Sequence, residues 1–187
     1  MNIAGIDYSL RGPAICIFAG EYIKKFSFSA CQFYFLTDTK KYVKKWGNNI
    51  FGETFKSWDS PEERYETIAD WAIEKLVGGS QIALEGYSFG SKGNRLFQIA
   101  ENTGILKYKI YHIGYPLEII PPTTIKKFAT GKGNANKEQM HNAFIKETGF
   151  NLKSKMSPDT KDITNPVSDI VDSYYICKYL YSNLLES

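Results

Sequence analysis

Three short apolar runs crowd into the first thirty residues, and short glycine-bearing joins leave them one simple arrangement, an antiparallel meander. NIAGID (2–7) reads as a buried strand that ends in an acid. GPAICIFAG (12–20) is a second apolar run, and EYIKKFSFS (21–29) alternates as a third strand. The rest of the chain has a different rhythm. Ser60-Pro61 followed by Glu62-Glu63 is a helix start, and that helix runs to Leu76 before Gly78-Gly79. QIALEG (81–86) is a short strand, again ending in an acid. A helix over Arg95–Ile110, a strand LEIIP (117–121), a helical turn TTIKKFA, a loop TGKGNAN (130–136) and a helix from Lys137 to Thr148 follow. After a polar loop over 151–164, a last helix starts at Asn165-Pro166 and runs to Asn183. Residues 30–60, rich in Lys and aromatics, read as a short helix or a long loop. A meander followed by βα units implies an α/β fold, a mixed sheet flanked by helices. No composition break marks a boundary, and 187 residues suit one domain, 1–187.

Composition narrows the function classes. A net charge of +3 permits a nucleic-acid partner without demanding one. Lys40, Lys41, Lys44 and Lys45 cluster, as do Lys126, Lys127 and Lys132, and solvated faces explain such clusters when they stand alone. The three cysteines, Cys16, Cys31 and Cys177, are odd in number and far apart, which argues against a disulfide framework or zinc site. A reducing cytoplasm is the expected compartment. No apolar run approaches the ~18 residues of a membrane span, and no basic region precedes a hydrophobic stretch at the start.

The acids carry the chemical information. Asp7 and Glu85 each end a strand, and ligands bind at the carboxyl ends of parallel strands. In SDIVDSYYICKYL (168–180), Asp169 and Asp172 share one helix face with Ile176 and Leu180. That face points inward, where unpaired carboxylates are costly unless a cation meets them. Oxygen ligands of this kind suit magnesium or manganese, and two such ions support phosphodiester hydrolysis. Singly, each acid has a plain explanation: Asp7 as a turn former, Glu85 as a loop acid, Asp169 as a first-turn acid facing the helix dipole. Asp172 lies a turn further in, and the four together are harder to explain away.

In GIDYSLRGPAICI, IALEGYSFGSKGN, TTIKKFATGKGNANKEQM and SDIVDSYYICKYL the chain resembles the RuvC family of Holliday-junction resolvases, within the RNase H-like superfamily. The stretches come in the family's order and span nearly the whole chain, and the compact EGYSFGSKG looks more like phage-encoded members. The resemblance implies an RNase H-like fold with a mixed five-stranded sheet: its first three strands antiparallel, then parallel strands. It makes Asp7, Glu85, Asp169 and Asp172 the metal-binding acids, with two Mg2+ ions per site and Mn2+ able to substitute. It implies functional lysines at Lys126 and Lys137, which suit phosphate contact or charge stabilisation. Lys92 and Lys132 are further candidates for DNA contact. GKG at 131–133 lacks Walker A spacing and reads as a backbone loop near DNA. An aromatic of Tyr87 or Phe89 would stack on an unpaired base, or else pack under its own loop. His112 and His141 are read as structural or surface residues. Tyr8-Ser9 departs from the Pro-Gly that often follows the family's first Asp, which puts the turn geometry there in doubt.

The activity implied is a magnesium-dependent endonuclease that nicks branched DNA, above all four-way junctions, at symmetric positions. A homodimer would match the junction's two-fold symmetry. No membrane is involved, and the compartment implied for a phage-encoded member is the bacterial host cytoplasm. Two rivals remain: a nuclease of the same fold acting on RNA–DNA hybrid, and a non-catalytic junction-binding protein.

Overall fold

The computed structural model describes residues 2–19, 25–76, 78, 80–87 and 94–186. Among the described residues seven strands form one sheet: β1 (Asn2–Asp7), β2 (Ala14–Ala19), β3 (Cys31–Thr37), β4 (Lys45–Trp46), β5 (Ile50–Thr54), β6 (Ser80–Glu85) and β7 (Leu117–Ile120). Six α-helices among the same residues accompany them: α1 (Pro61–Lys75), α2 (Asn94–His112), α3 (Pro122–Thr130), α4 (Lys137–Thr148), α5 (Leu152–Met156) and α6 (Val167–Glu186). The strand order is β4-β5-β3-β2-β1-β6-β7. β1, β2 and β3 pair antiparallel in succession, β6 lies parallel to β1, and β7 parallel to β6.

The antiparallel meander and the parallel βα half are as expected, but the third strand lies elsewhere. Residues 21–24 fall outside the described residues, 25–27 are irregular, and Phe28–Ala30 form a single 3-10 turn. The strand is Cys31–Thr37, inside the stretch read as helix or loop. Its alternation decides the matter. Cys31, Phe33 and Phe35 point into one core, while Leu36 and the half-buried Tyr34 point into the other. The parallel partner β5 then extends the sheet, and β4 caps its edge, giving seven strands where five were expected. The last helix also starts later than the cap signal suggested. It begins at Val167, and the Asn165-Pro166 peptide before it is cis.

The two sheet faces bury separate clusters. Ile3, Phe18, Phe33 and Phe35 pack with Phe144, Tyr174 and Ile176 beneath α4 and α6. Ala4, Ile6, Ile15 and Ile17 pack with Ile68, Trp71, Leu106 and Ile110 of α1 and α2. Side chains on a strand alternate faces, so Ile3, Gly5 and Asp7 all look toward α6. Ala83 belongs to that same cluster, and Glu85, two residues on, shares its face. Two strand-end acids are thereby aimed at one helix.

How closely α6 approaches is set by Gly5. A Cβ there would fall on the backbone nitrogen of Cys177 and within 2.6 Å of the Ser173 carbonyl oxygen. Backbone atoms deep in a core helix cannot step aside. The Cys177 thiol also lies 3.6 Å from the Ile3 carbonyl oxygen, its hydrogen-bond acceptor. α6 therefore runs antiparallel to β1, with Cys177 beside Ile3 and its N-terminal turns beside Asp7. Helix ends are fixed conventionally: Ser60 accepts from the Glu63 N–H at 3.1 Å, and Asn136 and Gln139 form a capping box.

Gly5→Ala should destabilise the fold by about 3 kcal/mol through overpacking. Denaturant titration against wild type checks this, and an unchanged midpoint would contradict the contact described.

Candidate active site

Asp7 and Glu85 lie side by side because β1 and β6 are parallel neighbours in register. Ile6 pairs with Leu84, so the next step along each strand brings the two acids level. Asp169 and Asp172 stand on the turn of α6 that leads into Ser173, one of the residues packed on Gly5. Asp169 is 6% exposed, while the other three acids are half-buried.

Asp7, Asp169, Asp172 and Lys137 line a cleft of about 650 Å³. Glu85 does not line it, but its carboxylate acts on Asp7 through space. Every acid of the four is pushed toward the neutral form, chiefly by burial. Burial and then Glu85, Asp169 and Asp172 raise Asp7, against the opposing pull of Lys137. Glu85 is raised to about 8 by burial and Asp172, with Lys126 opposing. Asp169 is raised to about 7 by burial and Asp172, with Lys137 opposing. Burial raises Asp172 to about 6 against Lys137 and Lys126. The structure thus brings all four acids and both Lys126 and Lys137 into one field.

Lys137 is tied into the cluster rather than free. Its ammonium donates to the Ser168 hydroxyl at 3.1 Å and to the Asn165 Oδ1 at 3.3 Å. The Ser168 hydroxyl has one proton, and both Asn165 Oδ1 and Asp169 Oδ1 lie 3.1 Å away to accept it. The Asp169 Oδ2 is buried without a hydrogen-bond partner among the described residues. Gly12 explains how it can be so enclosed. A Cβ there would come within 2.6 Å of that oxygen and 2.9 Å of the Asn165 side-chain nitrogen.

Four carboxylates, one with an orphaned buried oxygen, form a donor set suited to a hard divalent cation. Among the described residues no three His, Cys, Asp or Glu side chains close on a single point as a ready ligand set. Three of the acids share a cleft, and Glu85 joins them through the field it exerts on Asp7. The fit lies in the donor chemistry.

Other predicted residues among those described fall outside the cleft. Tyr87 is 42% exposed, with the Lys107 ammonium 5.9 Å from its ring centre. Phe89 and Lys92 lie outside the described residues. Lys132 is exposed after α3 and lines a separate hollow with Thr130 and Lys146. His112 sits on the surface against Tyr108, while His141 is buried and accepts from the Lys153 N–H at 3.3 Å. Sequence reasoning missed Ser9, Arg11, Arg64, Gln98 and Asn165 in the cleft wall, and the Ser168 link to Lys137. Only the spacing of Asn165 and Ser168 ahead of Asp169 hinted at a polar cluster there.

The fold is similar to that of Thermus thermophilus RuvC, with a TM-score of 0.62 and 19% identity over 100% of this chain and 97% of that one. T. thermophilus RuvC in complex with Holliday junction substrate gives a TM-score of 0.61 at 17% identity, over 100% of this chain and 96% of that one. The fowlpox virus resolvase in complex with substrate Holliday junction DNA gives 0.51 at 18%, over 99% of each chain. No protein-family model matches the sequence, and no curated protein matches it significantly. At these identities the likeness is one of fold, and it is the RuvC-type, RNase H-like fold that the motifs implied. No helix among the described residues is long and apolar enough to cross a membrane.

The raised acids have a consequence for stability. Each keeps its proton in the folded state at a pH where the unfolded chain has lost it, so the folded state binds more protons. In metal-free buffer their contribution therefore favours folding below pH ~4 and is lost as pH rises toward 8, the value reached by Glu85. His141, whose pKa burial lowers, acts in the opposite sense, so the comparison must be with a variant. Glu85→Gln should gain roughly 1–3 kcal/mol over wild type at pH 8 and little at pH 4. Thermal unfolding of both proteins across that range measures it.

Proposed function

We propose that this chain is a divalent-metal-dependent endonuclease that resolves four-way DNA junctions and related branched DNA. The observation that carries the reading is the convergence of Asp7, Glu85, Asp169 and Asp172 beside Lys126 and Lys137. It occurs on the fold of proteins solved with Holliday junction DNA.

Asp7, Glu85, Asp169 and Asp172 would hold two Mg2+ ions, with Mn2+ able to replace them. Bound there, the ions supply the positive charge that activates water and offsets charge on the scissile phosphate. The carboxylates must release their protons to bind cations, so protons compete with the metal and its binding strengthens as pH rises. Lys137, held by Ser168 and Asn165 at the cleft wall, presents its charge where a phosphate would lie. Lys126 acts from the α3 side on Glu85 and Asp172. Hydrolysis would leave 5′-phosphate and 3′-hydroxyl ends. Two symmetric nicks need two such clefts, which a C2 homodimer would present to a two-fold-symmetric junction.

Matched four-way junction, flap and RNA–DNA hybrid substrates, titrated with Mg2+ and Mn2+, separate this from its rivals. Junction cleavage that depends on the metal is the expected result. Cleavage of the hybrid alone would identify a ribonuclease of the same fold, and binding without cleavage would identify a junction-binding protein. Asp7→Asn should reduce junction cleavage by more than about a hundredfold while junction binding in Ca2+ persists.

A further inference from the structure

The acid cleft does not end at Arg64. A second hollow of about 290 Å³ lies beyond it and shares Leu10, Arg64 and Gln98 with the cleft wall. Trp58, Asp59 and Tyr65 form part of its far side. The two are neighbouring stretches of one groove, divided by the Arg64 side chain.

Arg64 and Trp58 are built as a stack. The guanidinium carbon lies 4.6 Å from the Trp58 ring centre, and one terminal nitrogen donates to the Leu10 carbonyl oxygen at 2.6 Å. The Nε–H is buried with no acceptor among the described residues, so protein partners do not use up the guanidinium's donors. Phe55 meets Trp58 edge-on at 5.9 Å and steadies the indole, which remains 36% exposed. The large aromatic surface at this end is therefore fixed in orientation and open to solvent.

Charge decides what the hollow accepts. Asp59 lines it, and the Glu63 carboxylate accepts from the Asp59 N–H at 2.7 Å. A phosphate placed here would face the Asp59 carboxylate, whose charge offsets that of Arg64 in the same lining. An uncharged planar group would not be repelled, and it would find an indole and a guanidinium to stack on. Lys137 marks the opposite character of the groove's other end. It also lines a third hollow with Lys153 and Lys161, whose three ammonium groups outnumber the carboxylates of Glu138 and Asp162.

We propose that the Trp58–Arg64 hollow is a base-binding subsite, holding an unstacked base of the strand whose phosphate lies at the acids. The inference rests on reading the acid cleft as a DNA-cutting centre. The subsite positions the strand: it fixes which phosphodiester lies over the carboxylates, and so contributes to where the nick falls.

The test uses four-way junctions carrying 2-aminopurine at successive positions around the nick, bound to the full-length protein in Ca2+. Wild type should quench one position strongly. Trp58→Ala should abolish that quenching and raise the KM for junction cleavage by roughly 5- to 150-fold with kcat little changed. Trp58→Phe should restore both. Trp58 is partly exposed, so an unchanged melting temperature accompanies these effects and separates them from loss of fold. Should wild type cut junctions while Trp58→Ala shows the same quenching and the same KM, the subsite is wrong and the nuclease reading stands. If wild type neither cuts nor binds junctions, both fall together.

Discussion

Like charge held close is the constraint on which this structure turns. Asp7, Glu85, Asp169 and Asp172 are pressed together where water screens them poorly, and each raises the cost of ionising another. A fold left to itself would spread such groups apart. Here close backbone packing prevents it. Gly5 lets α6 lie directly on β1, and Gly12 lets the chain before β2 press against the Asp169 carboxylate. Burial, the largest cause at every one of the four, outweighs Lys126 and Lys137, so all four acids stay shifted toward the neutral form. Stability is surrendered at the site and recovered in the two cores on either side of the sheet.

The acids were legible in the sequence because their local settings are unusual. Asp7 and Glu85 each close an apolar run, and Asp169 and Asp172 interrupt an apolar helix face at a spacing of three. Strand alternation then dictates the facing: Ile3, Gly5 and Asp7 point one way, and so do Ala83 and Glu85. The third strand was misplaced for a related reason. EYIKKFSFS alternates as well as CQFYFLT does, and local pattern cannot tell which of two such runs finds a partner. Pairing with β2 on one side and β5 on the other is a non-local fact. The same limit hid the Ser168–Lys137 link, which joins residues 31 apart, and the Arg64–Leu10 bond, which spans 54.

Positive charge is distributed with more purpose than the net +3 suggests. Lys126 and Lys137 act on the acids, and Lys153 and Lys161 stand beyond Lys137 in a hollow they share with Glu138 and Asp162. The cluster at Lys41, Lys44 and Lys45 has a different setting. It lies at the sheet's opposite edge, where the ammonium groups cover the rings of Tyr42, Trp46 and Phe51. Lysines on a short edge strand discourage pairing with another chain, a structural role that needs no ligand. Of the second lysine cluster in the sequence only Lys126 acts on the acids, while Lys132 lines a separate hollow.

α6 is at once the central brace of the core and the carrier of two of the four acids. Its seat on Gly5 leaves no slack in which the site could loosen while the core stays whole. An enzyme whose active residues sit on surface loops can lose activity well before it melts. In this chain the grouping of the four acids and the packing of the core rest on the same helix, so heating would dismantle both in one transition.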